Sequence, residues 1–142
     1  MENKAQLKKQ LKTLKLSGMI DNLDIRLLEA QQNQLCFSEF LSMLLSDEME
    51  TRNQRKLKRL IEQAGMGSEK TLETFDFSFN PHINAAYIRE LATCRFIERG
   101  EGVFFIGPSG TGKTHLAKAI CHQACRRFFT ARFYAFDHFL NE

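Results

Sequence analysis

The sequence lacks any long apolar segment. No run approaches the ~18 apolar residues that a membrane span needs, and the polar, lysine-rich N-terminus has no apolar stretch of the kind found in signal peptides. The four cysteines follow neither a disulfide nor a zinc spacing. We therefore expect no membrane partner and a reducing, cytoplasmic compartment.

Tryptophan is absent and tyrosine occurs only twice, but 13 phenylalanines supply apolar bulk. With a hydrophobic fraction of 43%, the chain can build a core, so wholesale disorder is not expected. The net charge of +3 is small. Because nothing global then requires a nucleic-acid partner, DNA contact must be argued from local clusters of basic residues.

The first 64 residues carry leucines and other apolar residues at helical spacing, which predicts an all-α N-terminal region over 1–64. We expect helices over about 4–16, 19–32 and 38–64, with Ser38 as the N-cap of the third. Residues 65–82 have the composition of a linker. Within it, Phe75, Phe77 and Phe79 alternate with polar residues, which favours one extended segment.

The remaining residues, 83–142, alternate between helical and strand patterns. They predict a helix over about 83–95, a buried parallel strand at Val103–Ile106, a helix over about 113–128 and a second strand over 131–135. Asp137 is predicted to cap a further helix. This order is that of the opening βαβ portion of an α/β P-loop NTPase domain.

A phosphate-binding motif lies between the first predicted strand and the following helix. The pattern G-x-x-x-x-G-K-[ST] is matched by Gly107, Gly112, Lys113 and Thr114. Glycines let backbone N–H groups surround a phosphate, the lysine reaches the β- and γ-phosphates, and the threonine hydroxyl binds Mg²⁺. We therefore predict ATP and Mg²⁺ as ligands, with this loop as the site: Gly107, Pro108, Ser109, Gly110, Thr111, Gly112, Lys113 and Thr114.

A second candidate site is a basic face on the third predicted helix. Arg52, Arg55, Lys56 and Arg59 stand at i, i+3, i+4 and i+7 and so share one side. Such a face is either an ordinary solvated surface or a set of DNA phosphate contacts. Lysines within residues 4–15 form another basic face. It too is either a solvated surface or a DNA contact, or else it contacts a partner protein.

Other reactive residues do not combine into a site. Cys121, His122 and Cys125 have neither a zinc nor a haem-attachment spacing, and Cys121 falls on the apolar side of its helix, where cysteine packs as a small hydrophobe. His115 is interpreted as a packing or surface residue. No Ser-His-Asp or paired-carboxylate arrangement is recognisable.

The stretch Ile88–Glu101, running into Gly107–Thr114 and then His115-Leu116-Ala117, resembles the IstB-like ATP-binding proteins. These are transposition helper ATPases of insertion sequences, related to DnaC-type helicase loaders within the AAA+ class. The resemblance extends through the N-terminal region and the linker and so covers essentially all 142 residues. It implies ATP hydrolysis, self-association, action on target DNA and a transposase partner for the complete protein.

The pattern departs from a complete AAA+ ATPase beyond the P-loop. Phe133–Asp137 superficially resembles a Walker B strand, but it lies 24 residues after Lys113 and is followed by His138 instead of glutamate. No sensor residue or arginine finger is recognisable either. We therefore expect a chain truncated after the Walker A half, which binds ATP without efficient hydrolysis.

Three alternatives remain open from the sequence. A DnaC-like replicative helicase loader shares the class, and a transposase gene immediately upstream would argue against it. A non-catalytic interaction module would show no ATPase activity. A small-molecule P-loop kinase would need an acceptor-binding lid, which the basic helical region does not resemble.

Overall fold

The computed structural model describes residues 2–135. These residues divide into two compact units, and the boundary lies between Lys56 and Leu57. In the part described, no helix is both long and apolar enough to cross a membrane. The helix predicted to begin at Asp137 lies outside it. The helices are α1 (Glu2–Thr13), α2 (Ser17–Gln32), α3 (Phe37–Ala64), α4 (Ala85–Leu91), α5 (Arg95–Glu98) and α6 (Lys113–Arg126).

The first unit is helical, as predicted, and its core forms where α2 packs on α3. Met19, Leu23 and Leu44 are buried at that contact, and Leu11 of α1 packs against them. Lys8 donates to Asp24 at 2.7 Å, which ties α1 to α2. The apolar residues whose spacing predicted these helices are therefore the residues that pack in the core.

The second unit has two apolar clusters, and α6 contributes to both. Leu60, Ala64, Met66 and Cys125 form one. Leu116 and Ile120 from the opposite side of α6 form the other, together with two buried residues of α4, Ile88 and Leu91. The prediction of a helix over about 113–128 is close to α6, because its apolar residues recur at helical spacing.

The two predicted strands are not observed, since no strand is assigned within residues 2–135. Residues 103–106 instead bury one face only. Val103 and Phe105 pack on the α4–α6 cluster, whereas Phe104 is 87% exposed and Ile106 is 93% exposed. A parallel strand needs a hydrogen-bonded neighbour, and in the described chain this segment has none. The βαβ arrangement is therefore not confirmed.

The segment predicted as the second strand makes a different backbone contact. The N–H of Phe133 donates to the carbonyl oxygen of Ala64 at 2.8 Å. This carbonyl belongs to the last residue of α3 and has no hydrogen-bond donor within the helix. Ala131 and the Phe133 ring pack on the cluster around Leu60. This segment therefore packs as part of the core around α3.

The predicted helix over 83–95 is broken into two short helices. Asn84 caps α4, because its side chain accepts from the N–H groups of Ala86 and Tyr87 at 3.0 and 3.2 Å. Cys94 then adopts a left-handed backbone with φ of 61°, which ends the helical run before α5 starts. Hydrophobic periodicity carries no signal for such a single-residue break.

Candidate functional site

The predicted phosphate loop has the backbone that its glycines allow. Gly110 and Gly112 adopt φ of 77° and 90°, a left-handed region that strains other residues. Gly112 is also the N-cap of α6, and its carbonyl accepts from the N–H of Leu116 at 2.9 Å. The loop therefore leads directly into a helix N-terminus, where free N–H groups and the helix dipole favour an anion.

Lys113 and Thr114 occupy the first turn of α6. The Nζ of Lys113 donates to the carbonyl oxygen of Pro108, so the ammonium group lies over the loop. Thr111 Oγ1 donates to the same carbonyl at 2.9 Å. The side chain of Thr114 is exposed and makes no hydrogen bond with the residues described. Its hydroxyl is therefore available as an oxygen ligand of the kind that Mg²⁺ takes.

The opposite side of the loop is covered by the segment predicted as a linker. A cavity of about 480 Å³ lies between the two, which is within the usual size range of small-ligand pockets. Ser109, Gly110, Gly112, Lys113 and Thr114 line it from the loop. From the other side it is lined by Lys70, Thr74, Phe75, Asp76 and Phe79, with His115 at the edge.

The segment that forms this wall is a series of turns, and the prediction of one extended segment is wrong. The N–H of Phe75 donates to Leu72, and the N–H of Phe79 donates to Asp76. Phe75 and Phe77 pack edge to face at 4.9 Å, while Phe79 is 71% exposed. Local side-chain hydrogen bonds favour turns here, and asparagine and aspartate commonly form such bonds with nearby backbone groups.

Asp76 brings a negative charge to the cavity. Its carboxylate accepts from the hydroxyl of Ser78 at 2.6 Å and from the N–H of Ser78 at 2.8 Å. These hydrogen bonds, the hydroxyl first, lower the pKa of Asp76 and keep it ionised. Lys70 and Lys113 line the same cavity, so the two cations outnumber this carboxylate.

His115 lies between the loop and the wall, a role that sequence reasoning missed. Its Nε2 is 3.0 Å from the carbonyl oxygen of Thr71 and 3.3 Å from Thr74 Oγ1. Its ring packs edge to face on Phe75, with centroids 5.1 Å apart. Its position directly after the P-loop threonine was the available signal, but its partners lie more than 40 residues away in the sequence.

Cys121, His122 and Cys125 behave as residues of the core. Burial raises the pKa of the Cys121 and Cys125 thiols, so they remain protonated, whereas metals bind the thiolate. Burial also lowers the pKa of His122, followed by the charge of Arg126. The two cysteines therefore supply apolar volume to the cluster around Leu60, and His122 is buried beside them with no hydrogen bond from the described residues to its Nδ1.

The first three residues of the predicted basic face belong to the first unit. The Nε of Arg52 donates to Glu48 at 2.7 Å, and the Nη1 of Arg55 donates to Ser17 Oγ at 2.7 Å. All three side chains, including Lys56, are exposed. Arg59 is exposed in the second unit.

The acidic residues just before that face differ in what they contact. Asp47 accepts two hydrogen bonds from Arg26, both at 2.8 Å, and Glu48 is buried, with 5% of its surface exposed. On α1, Lys4 and Lys8 are paired with Asp24. Because Glu48 also accepts from Arg52, part of the arginine face of α3 is neutralised, as is part of the lysine face of α1.

Comparison with known proteins identifies a family. The model of the IstB-like ATP binding proteins matches residues 9–142. An insertion-sequence ATP-binding protein of Mycobacterium tuberculosis is 42% identical over 127 residues, which is 89% of this chain and 51% of that protein. The IS21 ATP-binding protein of Pseudomonas aeruginosa is 41% identical over 115 residues, 81% of this chain and 43% of its own length.

A third relative, the IS5376 ATP-binding protein of Geobacillus stearothermophilus, is 37% identical over 113 residues, which is 80% of this chain and 45% of that protein. The chain therefore spans about half the length of these curated relatives. The matched parts of all three cover most of this chain.

Proposed function

The chain belongs to the family of IstB-like ATP binding proteins, and on that premise we propose that it binds the triphosphate of ATP, with Mg²⁺, in the cavity between residues 107–114 and the segment 70–79. The observation that carries this proposal is the P-loop itself. Two left-handed glycines lead into the N-terminus of α6, and Lys113 holds its ammonium group over the loop.

The chemistry of these groups fits a nucleoside triphosphate. Phosphate oxygens compete well for Lys113, because they carry negative charge and form an ion pair with the ammonium group, whereas the Pro108 carbonyl is a neutral acceptor. The N–H groups at the start of α6 favour the same anion. Thr114 would hold Mg²⁺ through its hydroxyl, and the metal would neutralise charge on the bound phosphates.

We further propose that the protein acts as an ATP-binding helper in the transposition of an insertion sequence, with DNA and the transposase of the same element as partners. The names of the relatives support this assignment, since each is an ATP-binding protein of an insertion sequence. They favour it over the helicase-loader alternative. Exposed Arg52, Arg55 and Lys56 support DNA contact through phosphates.

The test of the nucleotide site is Lys113→Ala. Losing a charge-assisted bond costs about 1.5–3 kcal/mol, which corresponds to about 10- to 150-fold weaker binding of Mg·ATP. Isothermal titration calorimetry measures the affinity. The matched control is Lys118→Ala, because Lys118 is on the same helix but its ammonium lies 4.9 Å from the centroid of the Phe133 ring. Equal affinities for Lys113→Ala and the parent would disprove this site.

A further inference from the structure

We infer that His115 is a positioning residue, which fastens the segment 71–75 to the first turn of α6 and so links nucleotide binding to the order of that segment. The inference rests on the proposed function, because it concerns the same cavity. His115 lies at the edge of that cavity, and its ring is in contact with Thr71, Thr74 and Phe75. It acts through the wall that faces the proposed phosphate groups.

The hydrogen bonds of His115 define its protonated nitrogen. The carbonyl oxygen of Thr71 can only accept, so the Nε2 of His115, 3.0 Å away, donates to it. Thr74 Oγ1, 3.3 Å from the same nitrogen, lies 3.0 Å from the carbonyl of Glu69 and accepts from the N–H of Thr71 at 3.1 Å. The imidazole N–H of His115 thus joins the hydrogen bonds that hold the turn at residues 69–74 together.

A second contact joins the same segment to the P-loop. A Cβ atom added to Gly112 would lie 2.9 Å from the Phe75 ring, closer than side chains tolerate. Phe75 therefore packs directly on Gly112, the N-cap of α6. His115 holds the backbone at Thr71, shortly before Phe75 in the sequence. Because Lys113 and Thr114 lie between these two contacts in the sequence, any shift of this turn around a phosphate is transmitted to residues 71–75.

The segment also has an anchor that does not involve the cavity. Arg126, in the last turn of α6, donates to the carboxylate of Glu73. Loss of the His115 contact should therefore leave residues 71–75 held by Arg126 and by the packing of Phe75, without the hydrogen bond that fixes Thr71, and so loosen the wall near Thr74. By linkage, a nucleotide that contacts both sides of the cavity orders the wall, and an ordered wall strengthens nucleotide binding.

The test compares hydrogen–deuterium exchange of the peptide 71–79 in the parent, His115→Ala and His115→Gln, without nucleotide and at saturating Mg·ATP. Glutamine keeps an N–H donor of similar reach. We expect ATP to slow exchange in the parent, His115→Ala to exchange faster without nucleotide and to lose most of the ATP effect, and His115→Gln to restore it. The affinity of His115→Ala for Mg·ATP should fall about 3- to 10-fold, the range for one hydrogen bond.

The control is His82→Ala, since His82 is an exposed histidine near the same segment. A purely structural role would lower the melting temperature of His115→Ala but leave the ATP-dependent slowing intact, and that result overturns the inference. Parallel titration of Lys113→Ala separates the two proposals. If binding depends on Lys113 and the exchange of His115→Ala matches the parent, only the positioning role fails. If binding does not depend on Lys113, the proposed site fails and the coupling with it.

Discussion

At the scale of single residues, the first unit depends on one close approach between helices. Gly18, in the first turn of α2, lies against α3, and Glu48 of α3 accepts from the N–H groups of Gly18 and Met19 at 2.7 and 3.2 Å. Burial raises the pKa of Glu48, but hydrogen bonds from Arg52 and these two N–H groups outweigh it and lower the pKa overall. The buried carboxylate thus caps α2 from a neighbouring helix.

We predict that Gly18→Ala destabilises the protein. The new Cβ would lie 2.8 Å from the carbonyl oxygen of Asp47 and 2.8 Å from the Cα of Glu48, so the helices must separate. Overpacking of this kind costs about 1–3 kcal/mol, on top of which the Glu48 hydrogen bonds lengthen. The gain from alanine in a helix is only about 1 kcal/mol, so the net change should be a loss of stability.

Urea denaturation followed by circular dichroism measures this loss as a lower midpoint. Gly102→Ala is the control, because its Cβ would meet only the Phe104 ring, at 3.8 Å. A midpoint for Gly18→Ala equal to that of the parent would show that α2 and α3 do not approach this closely.

The loop at residues 107–114 was marked residue by residue from local spacing alone, and its binding of phosphate stays a prediction. The structure brings Gly107–Thr114 together as one loop at a helix N-terminus. Gly18 and His115 could not be predicted in the same way, since their roles depend on Glu48 and Thr71, which are 30 and 44 positions away. The predicted helix begins only at about residue 19, yet Gly18 lies inside α2.

At the scale of elements, α1, α2, α3 and α6 were predicted well, whereas the helix over 83–95 and the two strands were not. A helix that packs on a core carries apolar residues at helical spacing, and this spacing can be recognised in the sequence without knowing which element the helix packs against. A strand depends on a partner strand, and the described residues offer none to 103–106. Helix ends were also misjudged: α3 begins at Phe37, so Ser38 is not its N-cap. Glu39 instead accepts from the N–H of Cys36 at 2.9 Å.

The basic face of α3 gives a prediction at this scale. If Arg52, Arg55, Lys56 and Arg59 contact four phosphates, log affinity should fall against log salt with a slope of about −3.6 on duplex DNA. Arg55→Ala/Lys56→Ala should weaken binding to all sequences alike and flatten the slope by about 2. Fluorescence anisotropy at several salt concentrations measures both quantities.

A double variant of the second unit, Lys58→Ala/Arg99→Ala, is the matched control, because it also removes two exposed cations. An unaltered slope in Arg55→Ala/Lys56→Ala would show that this face is an ordinary solvated surface. Lys12 and Lys15, which are exposed near the end of α1, would then be the next residues to test.

At the scale of the whole molecule, the chain consists of a helical unit and a unit that carries the P-loop sequence. The division lies between Lys56 and Leu57, within α3. The boundaries at 64/65 and 82/83 drawn from composition stay a prediction. The segment between them does more than connect, since residues 70–79 form one wall of the proposed ATP cavity. Composition alone marks such a segment as a linker and carries no signal for what it contacts.

The last prediction is that this 142-residue chain hydrolyses ATP no faster than Lys113→Ala. Hydrolysis needs a group that orients water in line with the γ-phosphate. Within the part of the chain that the structure describes, Asp76 is the acidic residue that lines the cavity, and it lies in a turn of the wall and not on a strand of the Walker B type. ATP should therefore bind without appreciable turnover.

A phosphate-release assay with the parent, Lys113→Ala and Asp76→Asn measures turnover directly. Release by the parent that disappears in Lys113→Ala would contradict the prediction and show that a catalytic carboxylate is present. Asp76→Asn then identifies its source: loss of activity assigns the role to Asp76. Retained activity directs attention to Asp137, which lies outside the described residues and which the sequence pattern favours as a helix cap.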